Sequence, residues 1–183
     1  MNDNSLIENR VRRWIEKAVI GLNLCPFAKS VYMKDQVRIT ICEAQNTQAL
    51  TGALYDELRL LEATPAQQTD TTLLVIPNMF EQFSDFNDYL DIADAVLDEL
   101  ELVGEIQLAS FHPLYQFADT EPDDVDNYTN RAPYPILHLL REDSLDKAAA
   151  QYPDASVIFE RNIAVVRELG HDGWCRLLRD EQK

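Results

Sequence analysis

Between Val37 and Phe111 the apolar residues change period four times, and that succession limits the folds open to the chain. Val37, Ile39 and Ile41 alternate with Arg38, Thr40 and Cys42, the period-two pattern of a half-buried strand. Leu50, Leu54, Leu58 and Leu61 then recur at helical spacing, and the helix they predict stops before Pro65. Thr71 to Ile76 reads as a short apolar strand closed by Pro77. Phe86, Leu90, Ala93, Leu97 and Leu100 trace a second helix, capped by Ser84 and stopped by Gly104. Glu105 to Phe111 is a third strand.

Strand, helix, strand, helix, strand is the signature of parallel strands joined by right-handed crossovers. The expectation is a single α/β domain over residues 1–183, with a three-stranded parallel βαβαβ core. A fourth strand, Ile136 to Leu140, follows a long excursion, and its direction stays open. A ferredoxin-like order would need a hairpin between the second and third strands, where a long helix intervenes. Helices flank the core. The first carries the stripe Ile7, Val11, Trp14, Ile15, Ala18 and Leu22, with Ser5 and Glu8 as a capping box and Gly21 at its end. Two more are expected near Ser144–Gln151 and Ser156–Leu169, the latter ended by Gly170.

Charge narrows the partners. The 183 residues carry 32 acids and 16 bases, a net charge of −16. Residues 60–130 hold 16 of those acids and no Lys or Arg. Such a chain repels phosphate backbones and anionic lipid, so neither nucleic acid nor membrane is an expected partner. No apolar run approaches the roughly 18 residues of a membrane helix, and Met1–Arg13 lacks the apolar core of a signal peptide. Three cysteines with no CxxC pair suggest neither a disulfide framework nor a structural zinc site, which fits a reducing cytoplasm.

The unusual segment is Ser110 to His138, SFHPLYQFADTEPDDVDNYTNRAPYPILH. Irregular connections of more than about 20 residues inside a domain are uncommon and often functional. His112 leaves the third strand directly before a proline, and a histidine there suits proton transfer. The plainer alternative is a strand-end histidine bonded to a carbonyl. His138, inside an apolar strand, reads as a satisfied core residue. Asn127, Asn130 and Arg131 close the segment, and a guanidinium beside two amides could fork onto a carboxylate or phosphate. The alternative for Arg131 is an internal salt bridge to Asp123, Asp124 or Asp126. The acids Asp119 to Asp126 could hold a divalent cation but lack the EF-hand pattern.

Cys25, in GLNLCPFAK, is the second candidate. Pro26 at a first helical position would make Cys25 an N-cap, where the helix dipole and Lys29 favour the thiolate. A small buried hydrophobe is the competing reading. Cys42 and Cys175 lie in apolar surroundings and are weaker candidates. The Asp85, Asp88, Asp91, Asp94 and Asp98 series is a wet helix face. Common nucleotide, zinc-protease and hydrolase signatures are absent.

Together, GLNLCPFAK, SFHPLYQFADT, NRAPYPILHLLRE and ERNIAVVRELG resemble an uncharacterised bacterial domain-of-unknown-function family of single chains of about this length. The resemblance spans almost the whole chain. It implies a free-standing bacterial protein and brings no activity, cofactor or catalytic residue with it. The functional expectation is a small cytoplasmic enzyme or ligand-binding protein. Cys25 and His112 would be catalytic, and Lys29, Asn127, Asn130 and Arg131 would bind an anionic small molecule. The alternatives are an interaction protein whose acidic surface docks a basic partner, and a divalent-metal binder.

Overall fold

The computed structural model describes residues 3–150 and 155–179. The first helix, α1 (Asp3–Trp14), passes into a π-helical turn at Ile15–Ile20. Gly21 closes that turn: a Cβ there would sit 2.3 Å from the Lys17 carbonyl oxygen, so the wider turn requires a residue without one. A short helix α2 (Ala28–Met33) leads to β1 (Val37–Ile41). Helix α3 (Thr47–Ala63), β2 (Thr71–Val75), α4 (Phe83–Glu99) and β3 (Ile106–Phe111) follow as the periodicity predicts. The Asn46 side chain, accepting from the Ala49 amide at 2.9 Å, caps α3. Gln82, not Ser84, is the N-cap of α4 and makes no side-chain cap. The chain then runs through a 3₁₀ turn (Val125–Asn130) to β4 (Ile136–Arg141), α5 (Glu142–Ala149) and α6 (Ala155–Leu178). The expected end of the fifth helix at Gln151 lies outside the described residues.

The sheet order is β1-β2-β4-β3. β1 and β2 pair parallel, while β4 runs antiparallel to both β2 and β3. The expected three-stranded parallel core is therefore corrected. Only β1 and β2 are parallel neighbours, and β4 is inserted between β2 and β3. Burial explains the placement. Ile136, Leu137 and Leu139 are all fully buried and face both sides of the sheet, so β4 needs neighbours and cover on every side. β3 carries the exposed Gln107 and takes an edge.

Helices α3 and α4 cover one sheet face, where Leu50, Leu54, Leu58, Leu61, Phe86, Ala93 and Leu97 pack on Leu74, Leu137 and Leu139. Arg38 forks onto Glu57 at 2.8 and 2.9 Å and ties β1 to α3. The opposite face is covered by α1, the π-helical turn and α6, through Val11, Trp14, Ile15, Val166 and Trp174 over Leu73, Val75 and Ile136. That cover is incomplete. Toward the start of β1 and β2, the second face is left to α2 and α5 alone, and a cavity opens there.

Candidate functional site

The cavity has a volume of about 680 Å³, within the range of small-molecule sites. Its floor is the sheet face formed by Val37, Thr71, Leu73, Ala109, His138 and Leu140. Across the sheet, Leu73 and Ala109 flank His138 on its two neighbouring strands, so the small Ala109 side chain leaves room beside the ring. The back wall is Trp14, Ile15 and Val19, and the sides are α2 and α5. Lys34, Asp70, Arg141 and Lys147 also line it.

Two neutral polar groups interrupt this apolar floor. The Thr71 hydroxyl lies 2.7 Å from the Leu139 carbonyl oxygen, a contact that consumes its single proton. It must therefore accept from His138 Nε2 at 2.6 Å, which makes His138 the Nε2–H tautomer with a lone pair at Nδ1. Burial pushes the His138 pKa down to about 4, so the ring is neutral at physiological pH. Of the charged lining, Arg141 is already engaged, donating to the Leu61 carbonyl at 2.5 Å and to the Thr64 carbonyl at the end of α3. Asp70 accepts from the Ser144 hydroxyl at 2.6 Å. Lys147 lies 3.9 Å from Asp143 in an exposed pair of little energetic weight.

Cys25 lines this cavity. It is not the expected N-cap, however, because α2 begins at Ala28 with Phe27 as its N-cap. Burial pushes the Cys25 thiol up, and the Phe27 and Ala28 amides only partly offset this. The environment favours the thiol over the thiolate. Lys29 is exposed on α2, between the cavity-lining Ala28 and Ser30.

His112 sits on the other side of the sheet. It is 1% exposed and packs against Phe86, with ring centroids 5.4 Å apart, and against Phe83 at 5.5 Å. Its Nε2 donates to the Phe80 carbonyl at 2.8 Å, and its Nδ1 accepts from the Leu114 amide at 3.0 Å. Burial pushes its pKa down, against the Phe80 carbonyl, which acts the other way. Both ring nitrogens are committed to backbone, and the sheet stands between this ring and Cys25.

Asn127 is fully buried and organises the excursion. Its Oδ1 accepts from the Phe117 amide at 2.9 Å and the Thr120 hydroxyl at 2.8 Å, while its Nδ2 donates to the Glu121 carbonyl at 2.9 Å. Asn130 donates to the Ser110 carbonyl at 3.4 Å, and its own carbonyl accepts from the His112 amide. Arg131 spans the same loop, donating to the Tyr115 and Pro122 carbonyls at 3.3 and 2.5 Å, with its guanidinium 4.7 Å over the Tyr128 ring. The structure thus joins Asn127, Asn130 and Arg131 as a clasp on residues 112–131, apart from the cavity that holds Cys25. The acid Asp126 pairs with Arg167 of α6 rather than with Arg131. Among the described residues no group of three His, Cys, Asp or Glu side chains is placed to hold a metal ion.

Sequence reasoning missed the cavity because its walls come from five separate stretches of the chain, spread from Trp14 to Ala148. His138 carried a usable signal, a titratable ring inside an apolar strand, but reads equally as core. It also missed a second cluster on α6. Gly170 breaks the helix with φ 63° and ψ 177°, yet the chain resumes helical form and carries His171 and Cys175 four residues apart. The histidine–cysteine spacing was the available clue.

Fold and cavity together define a mixed α/β protein with an open, largely apolar cleft on one face of its sheet. The chain belongs to the family described as "Protein of unknown function (DUF1415)", which matches residues 6–176. No curated protein and no solved structure matches it. Among the described residues, no helix is long and apolar enough to cross a membrane.

Proposed function

We propose that this protein binds a small amphipathic molecule, apolar along its body and anionic at one end, in the cleft between α2 and α5. The observation that carries the reading is the 680 Å³ cavity floored by apolar strand residues around a neutral His138. Apolar walls with a few placed polar groups are what a small-molecule site requires. The ligand's body would lie against Trp14, Leu73, Phe111 and Leu140. His138 Nδ1 would accept a hydrogen bond from any hydroxyl or N–H that the ligand's body carries, and Lys34 and Lys147 would supply positive charge at the cleft. Cys25 contributes to the wall as a protonated thiol. Arg131 and the two asparagines support this reading only indirectly, by fixing the loop that ends at β4.

Anilinonaphthalene sulfonate, an apolar anion, and medium-chain carboxylates such as decanoate are suitable probes. The expected result is saturable fluorescence enhancement that decanoate displaces and that Ala109→Phe abolishes while the fold is retained. Absence of saturable binding, or equal binding by Ala109→Phe, overturns the reading.

A further inference from the structure

Helix α6 packs on the 3₁₀ turn at Val125–Asn130, and the two are fastened by Arg167, which forks onto Asp126 at 2.7 and 2.6 Å. One turn beyond Gly170, three chemistry-bearing side chains meet. Cys175 Sγ lies 3.7 Å from His171 Nε2. The other ring nitrogen of His171, Nδ1, is hydrogen-bonded to the Tyr128 hydroxyl. Tyr128 itself is held firmly. It is 2% exposed, stacks on Trp174 with ring centroids 5.2 Å apart, and lies beneath the Arg131 guanidinium.

A thiol beside a histidine whose second nitrogen is oriented by a third group is the arrangement that activates a nucleophile. In the tautomer that donates Nδ1–H to the phenol oxygen, Nε2 keeps its lone pair and can take the thiol proton, leaving a thiolate beside an imidazolium. Burial pushes the Tyr128 phenol up, so the phenol stays protonated and holds the ring without competing for that proton. Cys175 is exposed, whereas Cys42 is buried and Cys25 half-buried. An exposed sulfur on a helix surface has no walls to bind a large substrate, so its reaction partner is a small diffusing electrophile. In a chain of net charge −16, an uncharged one approaches without repulsion.

We propose that Cys175 is a hydroperoxide-reactive thiol, with His171 as its base and Tyr128 as the residue that positions the base. The thiolate attacks one oxygen of hydrogen peroxide and forms an S–O bond as the O–O bond breaks. The departing oxygen takes the electron pair of that bond and the proton from imidazolium, and leaves as water. Sulfur is oxidised by two electrons to the sulfenic acid, and the peroxide is reduced by two.

The groups facing the relay are Tyr128 and Arg131 from the 3₁₀ segment, Asp123 through its field on Tyr128, and the Arg167–Asp126 pair. Asp172 is adjacent on the helix itself. The full chain would be alkylated with iodoacetamide from pH 5.5 to 9, each cysteine being followed by peptide mass spectrometry. In parallel, hydrogen peroxide would be added with dimedone to trap sulfenic acid. Wild-type Cys175 should react at neutral pH about tenfold faster than in His171→Asn, whose pH profile should be that of a thiol without a base beside it. Tyr128→Phe keeps the stacked ring and should fall between the two. Dimedone should label Cys175 in the wild type and lose that label in His171→Asn. Melting temperatures of both variants identify any loss of fold, and Tyr128→Phe keeps the test decisive if His171→Asn is unstable. Equal Cys175 rates in the wild type and both variants overturn the proposal. Fast alkylation without trapped sulfenic acid overturns it as well, because the electrophile is then not a hydroperoxide.

Discussion

The Thr71 hydroxyl and the His138 ring share one hydrogen bond, 2.6 Å from Oγ1 to Nε2, and its direction is set by the Leu139 carbonyl that takes the hydroxyl proton. Thr71→Val removes the acceptor and leaves a ring N–H without its partner. The expected cost is about 1–3 kcal/mol, measured by chemical denaturation, with Thr71→Ser close to wild type. Equal stability of the valine and serine variants would show that the bond carries no weight.

The same ring makes stability depend on pH. His138 titrates near 4 in the folded chain and near ~6.5 when unfolded. Between those values the unfolded chain binds a proton that the folded chain refuses. Stability is therefore full above pH ~6.5 and is lost as pH falls to about 4, by at most about 3 kcal/mol from this residue. His112, shifted in the same direction, adds to the slope. His138→Gln should flatten the curve of unfolding free energy against pH over this interval, and an unchanged slope would rule the residue out as its source.

The His112 ring donates to the Phe80 carbonyl in the turn before α4 and accepts from the Leu114 amide, so it ties the start of the excursion to that turn. His112→Ala should cost about 3 kcal/mol, from the lost bonds and the space opened against Phe83 and Phe86. Guanidinium unfolding measures this. A loss below about 0.5 kcal/mol would contradict a pinning role.

Arg131→Lys keeps the charge and loses the planar fork on the Tyr115 and Pro122 carbonyls. Faster amide exchange is expected across residues 113–130, with β1 and β2 unchanged. Uniform protection in both proteins would mean the guanidinium is not the clasp.

Gly170 takes φ 63° and ψ 177°, a conformation almost confined to glycine. Gly170→Ala should cost about 1–3 kcal/mol and shift the tryptophan fluorescence of Trp174, which lies just beyond the break. A variant as stable as wild type with unchanged emission would show that the backbone adapts without cost.

The order and type of the central elements were legible because Leu50, Leu54, Leu58 and Leu61 and the Val37–Ile41 alternation carry periods that only one element satisfies. The position of β4 was not. Its local pattern reads as a strand wherever it pairs, and its place between β2 and β3 is decided by which strand must be buried on both faces. The final part of α6 was lost for a different reason: Gly170 does end one helical stretch, but nothing local says that another begins at once. Cys25 stands out in the sequence beside Pro26, but its surroundings depend on contacts with residues far along the chain. His112 stands out in the sequence as a catalytic group and Arg131 as a ligand-binding one, and their hydrogen bonds run to main-chain carbonyls and amides that sequence spacing does not reveal.

The insertion of β4 between β2 and β3 also sets an order of events during synthesis. β2 and β3 emerge from the ribosome with no strand bonded between them, and the sheet has no continuous centre until residues 136–141 have been made. Until then, the inner edge of β2 presents its main-chain groups to any passing strand, and Leu73 to Val75 offer an apolar surface beside it. A chain halted before Ile136 is a species that chaperones should hold, and one with a strong tendency to aggregate. Completion of a single six-residue strand joins β2 to β3 and makes the four-stranded sheet continuous.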